Sequence, residues 1–180
     1  MSIKSLGSNE YLDGYVKSEN EFDRTYAANK GYALDILVND VSEYVREAVA
    51  VQGYGLDILV NDSSPVVRTA VAAQGIDKYL EMLLTDDCGD VRIAVARKGY
   101  GLDKLVNDNN RFVRLEVAQQ GYGLDKLVND ESPSVRAAVA RQGYGLEQLI
   151  SDDDENVKNT ALAEIKKVAE KDWRKNSFAD

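Results

Sequence analysis

The sequence predicts an all-α fold: a right-handed α-solenoid of about six 22-residue two-helix repeats with N- and C-terminal caps. Three observations predict it. A block opening on Gly-Tyr returns at a fixed interval, in residues 31–52, 53–74, 99–120 and 121–142. Early in each block, apolar residues fall at i, i+3 and i+4, as at Leu56, Leu59 and Val60, which is one face of a helix. Each block is also punctuated alike. A capping column (Ser42, Ser64, Cys88, Asn110, Ser132, Asp154) precedes a second helix, and a glycine follows it.

From the N-terminus, residues 1–22 lie outside the repeat. They carry Tyr11, Leu12, Tyr15 and Val16, which suit a cap over the first repeat. The helical repeats occupy residues 23–155. They open on an eroded half copy, Arg24 to Lys30, that aligns with Arg46 to Gln52. In each full copy the first helix carries Leu-Asp-x-Leu-Val and the second Val-Arg-x-x-Val-Ala. Pro65 and Pro133 stand at the first position of the second helix, where a missing N–H costs nothing. Residues 75–98 form a looser copy whose two extra residues are expected in a loop at 76–79. Small side chains (Ala50, Ala72, Ala96, Ala118, Ala140) let neighbouring helices approach, so stacked copies bury faces that one hairpin cannot. Residues 156–180 read as a capping helix and tail. Val157, Ala161, Leu162, Ile165 and Val168 make its buried stripe, Lys166, Lys167, Lys171, Arg174 and Lys175 its wet face, and Trp173 a pin for the tail. The whole is expected to be one domain.

Composition narrows the function. The chain has no histidine, hence neither the commonest general base nor the commonest metal ligand. A lone Cys88 forms no intrachain disulfide, no apolar run is long enough for a membrane span, and Met1-Ser2-Ile3-Lys4 lacks the apolar core of a signal peptide. The expectation is a cytoplasmic protein. The net charge of −9 is one-sided. Residues 1–90 hold 7 Lys/Arg against 16 Asp/Glu, while residues 91–180 balance at 15 and 15. Direct nucleic-acid binding is disfavoured, and a protein partner with a basic surface is favoured.

The stretch Asp62-Ser63-Ser64-Pro65-Val66-Val67-Arg68-Thr69-Ala70-Val71-Ala72, followed in the next copies by a short Leu-x-x-Leu helix, resembles HEAT-like repeats. It is most like the variant leucine-rich repeat, which is helical despite its name. The resemblance covers roughly residues 22–163, with a shorter turn at Gly-Tyr-Gly, and implies a binding scaffold.

Arginine recurs at 24, 46, 68, 92, 114 and 136, with Lys158 in the same column, and aspartate at 40, 62, 86, 108, 130 and 152. These columns form either a charged binding ladder or a structural one that caps helices and ties each repeat to its neighbour. The structural reading is preferred, because a column kept in every copy usually serves the fold. Tyr32, Tyr54, Tyr100, Tyr122 and Tyr144 form either a stacking platform or seals between repeats with wet hydroxyls. A second acidic column, Asp35, Asp57, Glu81, Asp103, Asp125 and Glu147, belongs in the first turn of each first helix, where negative charge suits the helix dipole. It has no arginine at a constant short offset and could present a row of carboxylates.

The columns that change between copies are better candidates for function. On the second helix they read Tyr44/Glu47/Val51, Val66/Thr69/Ala73, Asp90/Ile93/Arg97, Phe112/Leu115/Gln119 and Ser134/Ala137/Arg141. Such a stripe either packs inside the stack or marks an interaction surface. The candidate partner-binding residues are therefore Asp35, Asp57, Glu81, Tyr44, Glu47, Val66, Asp90, Ile93, Phe112 and Leu115, with no catalytic, metal or cofactor residue. Asp86/Asp87 and Asp152/Asp153/Asp154 lack calcium-loop spacing and sit where helix caps belong.

The expectation is a non-enzymatic acidic repeat protein that binds another protein. One form of it is an inhibitor that mimics nucleic-acid charge, of the phage counter-defence or anti-CRISPR type. The alternative is a HEAT-like accessory or enzymatic factor acting on nucleic acid or on a cofactor-bearing protein.

Overall fold

The computed structural model describes the backbone of residues 6–177 and the side chains of residues 10–171. Every regular element among the described residues is helical. Residue contacts divide the chain into two compact units, Met1–Tyr100 and Gly101–Asp180.

The first unit holds α1 (Leu6–Val16), α2 (Glu21–Asn29), α3 (Leu34–Leu37), α4 (Glu43–Val51), α5 (Leu56–Leu59), α6 (Pro65–Ala73), α7 (Asp77–Leu83) and α8 (Gly89–Arg97). The second helices α2, α4, α6 and α8 pack each on the next, and α1 lies on α2. The half copy is real: Ala27 and Ala28 on α2 are fully buried, as are Val49 and Ala50 on α4. On α1, Tyr15 meets Tyr26 edge to face at 5.3 Å, which is how the expected cap covers the first repeat.

The second unit holds α9 (Leu102–Leu105), α10 (Arg111–Gln119), α11 (Leu124–Leu127), α12 (Pro133–Arg141), α13 (Leu146–Leu149) and α14 (Glu155–Ser177). Helix α10 packs on α12 and α12 on α14. In both units the first helices contribute buried leucines (two on α5 and on α7, one on the others) and the second helices their Val/Ala face, as at Leu59, Val67, Val71, Leu127, Val135 and Val139.

The Gly-Tyr-Gly turn has a steric reason. Its second glycine carries φ of +63° at Gly55 and +61° at Gly123. A Cβ there would stand 2.5 Å from Val38 Cγ2 in the first case and 2.6 Å from Val106 Cγ2 in the second. Val38, Val106 and Val128, each closing a first helix, thus fill the space beside Gly55, Gly123 and Gly145 of the next copy.

The structure corrects three expectations. Asp77, Lys78 and Tyr79 are helical, so the two extra residues of the loose copy lengthen the first helix (α7) rather than a loop. That copy lacks the second glycine, and Ile76 takes an extended conformation from which a helix starts directly. Two of the capping serines do not cap through their side chains. Ser42 Oγ donates to Glu21 Oε2 at 2.5 Å, and Ser132 Oγ is buried without a partner. Lastly, Leu162, Ile165 and Val168 are exposed although Val157 and Ala161 are buried. The 23 residues of α14 outrun the 9 residues of α12 that cover its first turns. The expected roles of Trp173, Arg174 and Lys175 lie outside the described side chains.

Candidate interaction surface

The charged ladder is structural. Arg46 Nε and Nη2 donate to the two oxygens of Asp62 at 2.6 and 2.8 Å, and Arg46 Nη1 donates to the backbone carbonyls of Asp40 and Val41. Arg24–Asp40, Arg68–Asp86, Arg114–Asp130 and Arg136–Asp152 repeat this fork. Each aspartate also accepts the N–H of the residue that starts the next second helix, as Ser64 N–H does to Asp62 at 2.9 Å. One arginine therefore clamps its own loop and the carboxylate of the following repeat. The columns change at the two ends of the array. Ser18 stands in the aspartate column before the first arginine, and Lys158 in the arginine column after the last aspartate.

The ladder sets the carboxyl pKa values. Burial pushes Asp40, Asp62 and Asp86 up, but hydrogen bonds from the arginines and backbone N–H groups outweigh it and hold them below the ordinary 3.8. At Asp152 the Arg136 hydrogen bond is the leading cause of the same downward shift.

A column that sequence reasoning left unread supports this clamp. Gln52, Gln74 and Gln142 each reach back to a carbonyl at the end of the preceding second helix, Asn29, Val51 and Gln119 respectively. The Gln that recurs before the turn glycine, at 52, 74, 120 and 142, was the available signal.

The acidic column of the first helices is partly engaged. Asp57 holds Lys78 at 2.5 Å, and the hydrogen bond from Lys78 lowers the Asp57 carboxyl. Glu81 accepts from the Tyr100 hydroxyl at 2.6 Å, and Asp13 accepts from the Tyr32 hydroxyl at 2.5 Å. Those two tyrosines are tied to acids nineteen residues back, so their hydroxyls are not simply wet. Since α7 starts at Asp77, Glu81 also lies beyond the first turn of its helix. Asp35 is exposed on α3.

The changing stripe lies on the second helices and produces a different surface. A hollow of about 650 Å³ opens between α2 and α4, lined by Glu21, Phe22, Thr25 and Asn29 on α2 and by Tyr44, Glu47, Ala48 and Val51 on α4. A second of about 420 Å³ opens between α4 and α6. It shares Glu47 and Val51 with the first and adds Pro65, Val66, Thr69, Ala70 and Ala73 on α6 and Asp90 on α8. The small Ala48 and Ala70 let the two floors sink between the helices. Large apolar side chains stand open to solvent here: Phe22 is 75% exposed, Tyr44 53%, Val51 53% and Val66 41%.

The structure thus brings Tyr44, Glu47, Val66 and Asp90 together around adjoining hollows. It leaves Asp35, Asp57 and Glu81 on other helices, α3, α5 and α7. Ile93 is half-buried on α8. In the second unit Phe112 is exposed beneath the Arg111 guanidinium at 4.8 Å, Leu115 is half-buried and Ala137 buried. Phe22 was missed because the half copy was aligned only from Arg24; two residues further back, Phe22 falls in the Tyr44 column.

Among the described residues no group of three or more Cys, Asp or Glu is placed to hold a metal, and no helix is long and apolar enough to cross a membrane.

These features define a helical-repeat solenoid, a class of fold used mostly as a scaffold for protein–protein interaction. Among solved structures the chain is similar to a leucine-rich repeat variant described as having a novel repetitive structural motif. The TM-score is 0.69 and the identity 27%, over 87% of this chain and 71% of that one. No family model and no curated protein matches the chain.

Proposed function

We propose that the chain is a non-enzymatic binding scaffold that holds another protein on the second-helix face of its N-terminal unit. The supporting observation is the pair of adjoining hollows, where four large apolar side chains stand exposed beside Glu21, Glu47 and Asp90. A folded surface rarely leaves so much contiguous apolar area open without a use for it. The acids that line it favour a partner with basic groups around an apolar anchor.

Affinity capture from the source cells tests this with three baits: the wild type, a Tyr44→Glu/Val66→Glu variant and an Ile58→Glu variant on the first-helix side. The expected result is a partner retained by the wild type and Ile58→Glu and lost by the double variant. Identical recovery on all three baits refutes the reading.

A second reading places the contact on the acidic column and makes the chain an inhibitor of a nucleic-acid-handling enzyme by charge mimicry, as in phage counter-defence or anti-CRISPR proteins. The concentration of net charge in residues 1–90 favours it, whereas the Lys78 and Tyr100 partners of Asp57 and Glu81 weaken it. It requires steep loss of partner binding with added salt and upon charge reversal at Asp35, Asp57 and Glu81. Salt-independent affinity excludes it.

A further inference from the structure

We infer that the two hollows take one basic amphipathic helix of the partner protein, seated by two apolar side chains about one repeat apart and by a Lys or Arg between them on Glu47. The inference rests on the second-helix face being the binding surface, as proposed above, and adds the form and chemistry of what binds there.

Three observations carry it. The first is spacing. One hollow lies between α2 and α4 and the other between α4 and α6, so their centres stand one helix spacing apart, about 8–10 Å. Along an α-helix, residues i and i+7 share a face and are separated by about 10.5 Å. Two such side chains reach one hollow each.

The second is charge. Glu47 is the acid common to both hollows, and it makes no hydrogen bond or ion pair with any described residue. The residue at i+3 or i+4 of the docked helix lies midway between the anchors and faces Glu47. Glu21 also lines the first hollow and Asp90 the second, which adds to the same preference. Residues 1–90 carry the whole net charge of −9, so the field over this face draws a cationic segment as well.

The third is backbone chemistry. The walls are helices, whose N–H and C=O groups are bonded within themselves, so the hollows present no open strand edge to pair with. An extended segment laid on this apolar floor would lose water from its own amides without gaining partners. A helix brings its amides already paired.

The test uses the full chain and fluorescein-labelled synthetic peptides of about 16 residues, long enough to span both hollows as a helix. The matched peptide has Leu at i and i+7 and Lys at i+3 and i+4, in an Ala/Gln background. A second has the same composition with the anchors at i and i+5, on different faces. Fluorescence anisotropy measures affinity, and circular dichroism measures helix gained on binding.

The matched peptide is expected to bind at least tenfold tighter than the misplaced one and to gain helix. Glu47→Lys is expected to weaken it at least tenfold, and a peptide with Glu at i+3 and i+4 is expected to recover affinity on Glu47→Lys alone. That swap separates a direct contact from a general loss of structure. The inference is overturned by any of four outcomes: no binding of the matched peptide, equal binding of both spacings, no charge-swap recovery, or tighter binding of an extended proline-rich peptide.

It is likewise overturned if the face is taken by a second copy of the chain, seen as a mass that rises with concentration and falls back with Val66→Glu. Should capture still depend on Tyr44 and Val66 while the helical peptides fail, the proposed function stands and this inference alone falls.

Discussion

Removing the Asp62 carboxylate with Asp62→Ala tests whether the ladder ties repeats together. Arg46 is 14% exposed and Asp62 7%. The substitution strands two guanidinium donors, at Nε and Nη2, in a nearly dry site and frees the Ser64 N–H. Breaking a buried pair from one side costs about 3–5 kcal/mol. Water reaching the edge of Arg46 reduces that to roughly 2–3 kcal/mol, and the lost Ser64 bond restores about 1 kcal/mol.

Arg46→Ala is expected to cost about as much by another route, since it also strips the carbonyls of Asp40 and Val41 of their donor. The double variant is then expected to cost clearly less than the sum, with a coupling of about 1.5–3 kcal/mol. Urea unfolding followed by circular dichroism gives the four stabilities. Comparison of the slopes shows whether repeats unzip separately, which must be known before the free energies are compared. Additivity within about 0.5 kcal/mol would refute the argument and reduce the fork to a surface contact.

Three further outcomes follow from the same geometry. Gly55→Ala is expected to destabilise by about 2–4 kcal/mol, from left-handed backbone strain and the overlap with Val38; Gly14→Ala, in open space on α1, is expected to stabilise by about 0.5–1 kcal/mol in the same urea assay. Ser64→Ala is expected to cost about 1 kcal/mol, because its hydroxyl binds Glu43 and caps α6, whereas Ser132→Ala, which removes an unpartnered hydroxyl, is expected to be neutral or stabilising by melting temperature. Stability is also expected to fall in acid. Asp40, Asp62, Asp86 and Asp152 hold their protons less tightly folded than unfolded, so the ladder's contribution is whole above about pH 4 and drains as pH drops through the lowered folded values. Proton uptake measured across the acid transition checks the sign, and an Arg46→Met/Asp62→Leu variant should take up fewer protons.

Much of the fold is legible because the period makes every column its own control. The valine, alanine, glycine and arginine columns could be assigned to packing, turns and clamps from their recurrence alone. Which aspartate an arginine grips could not. With a 22-residue period, an offset of six back within a copy and sixteen forward into the next describe the same two columns; in the fold the carboxylate bonds go forward while the bonds to backbone carbonyls go back.

The stripe on α14 misled for a related reason. Leu162, Ile165 and Val168 keep an amphipathic pattern, but burial needs a neighbour, and α12 is too short to supply one. The hollows were half legible. The variable columns pointed to Tyr44, Glu47, Val66 and Asp90, but the hollows are also lined by Ala48 and Ala70, which lie outside those columns.

The forward-and-back grip of the arginines makes the repeat interchangeable. A unit inserted in register meets behind it the fork it expects and offers ahead the fork the next unit expects. The chain can therefore lengthen or shorten by whole copies through unequal recombination without redesign of its core. Selection on the outward side chains can then act copy by copy, so the recognised surface can change while the grip between neighbours stays the same.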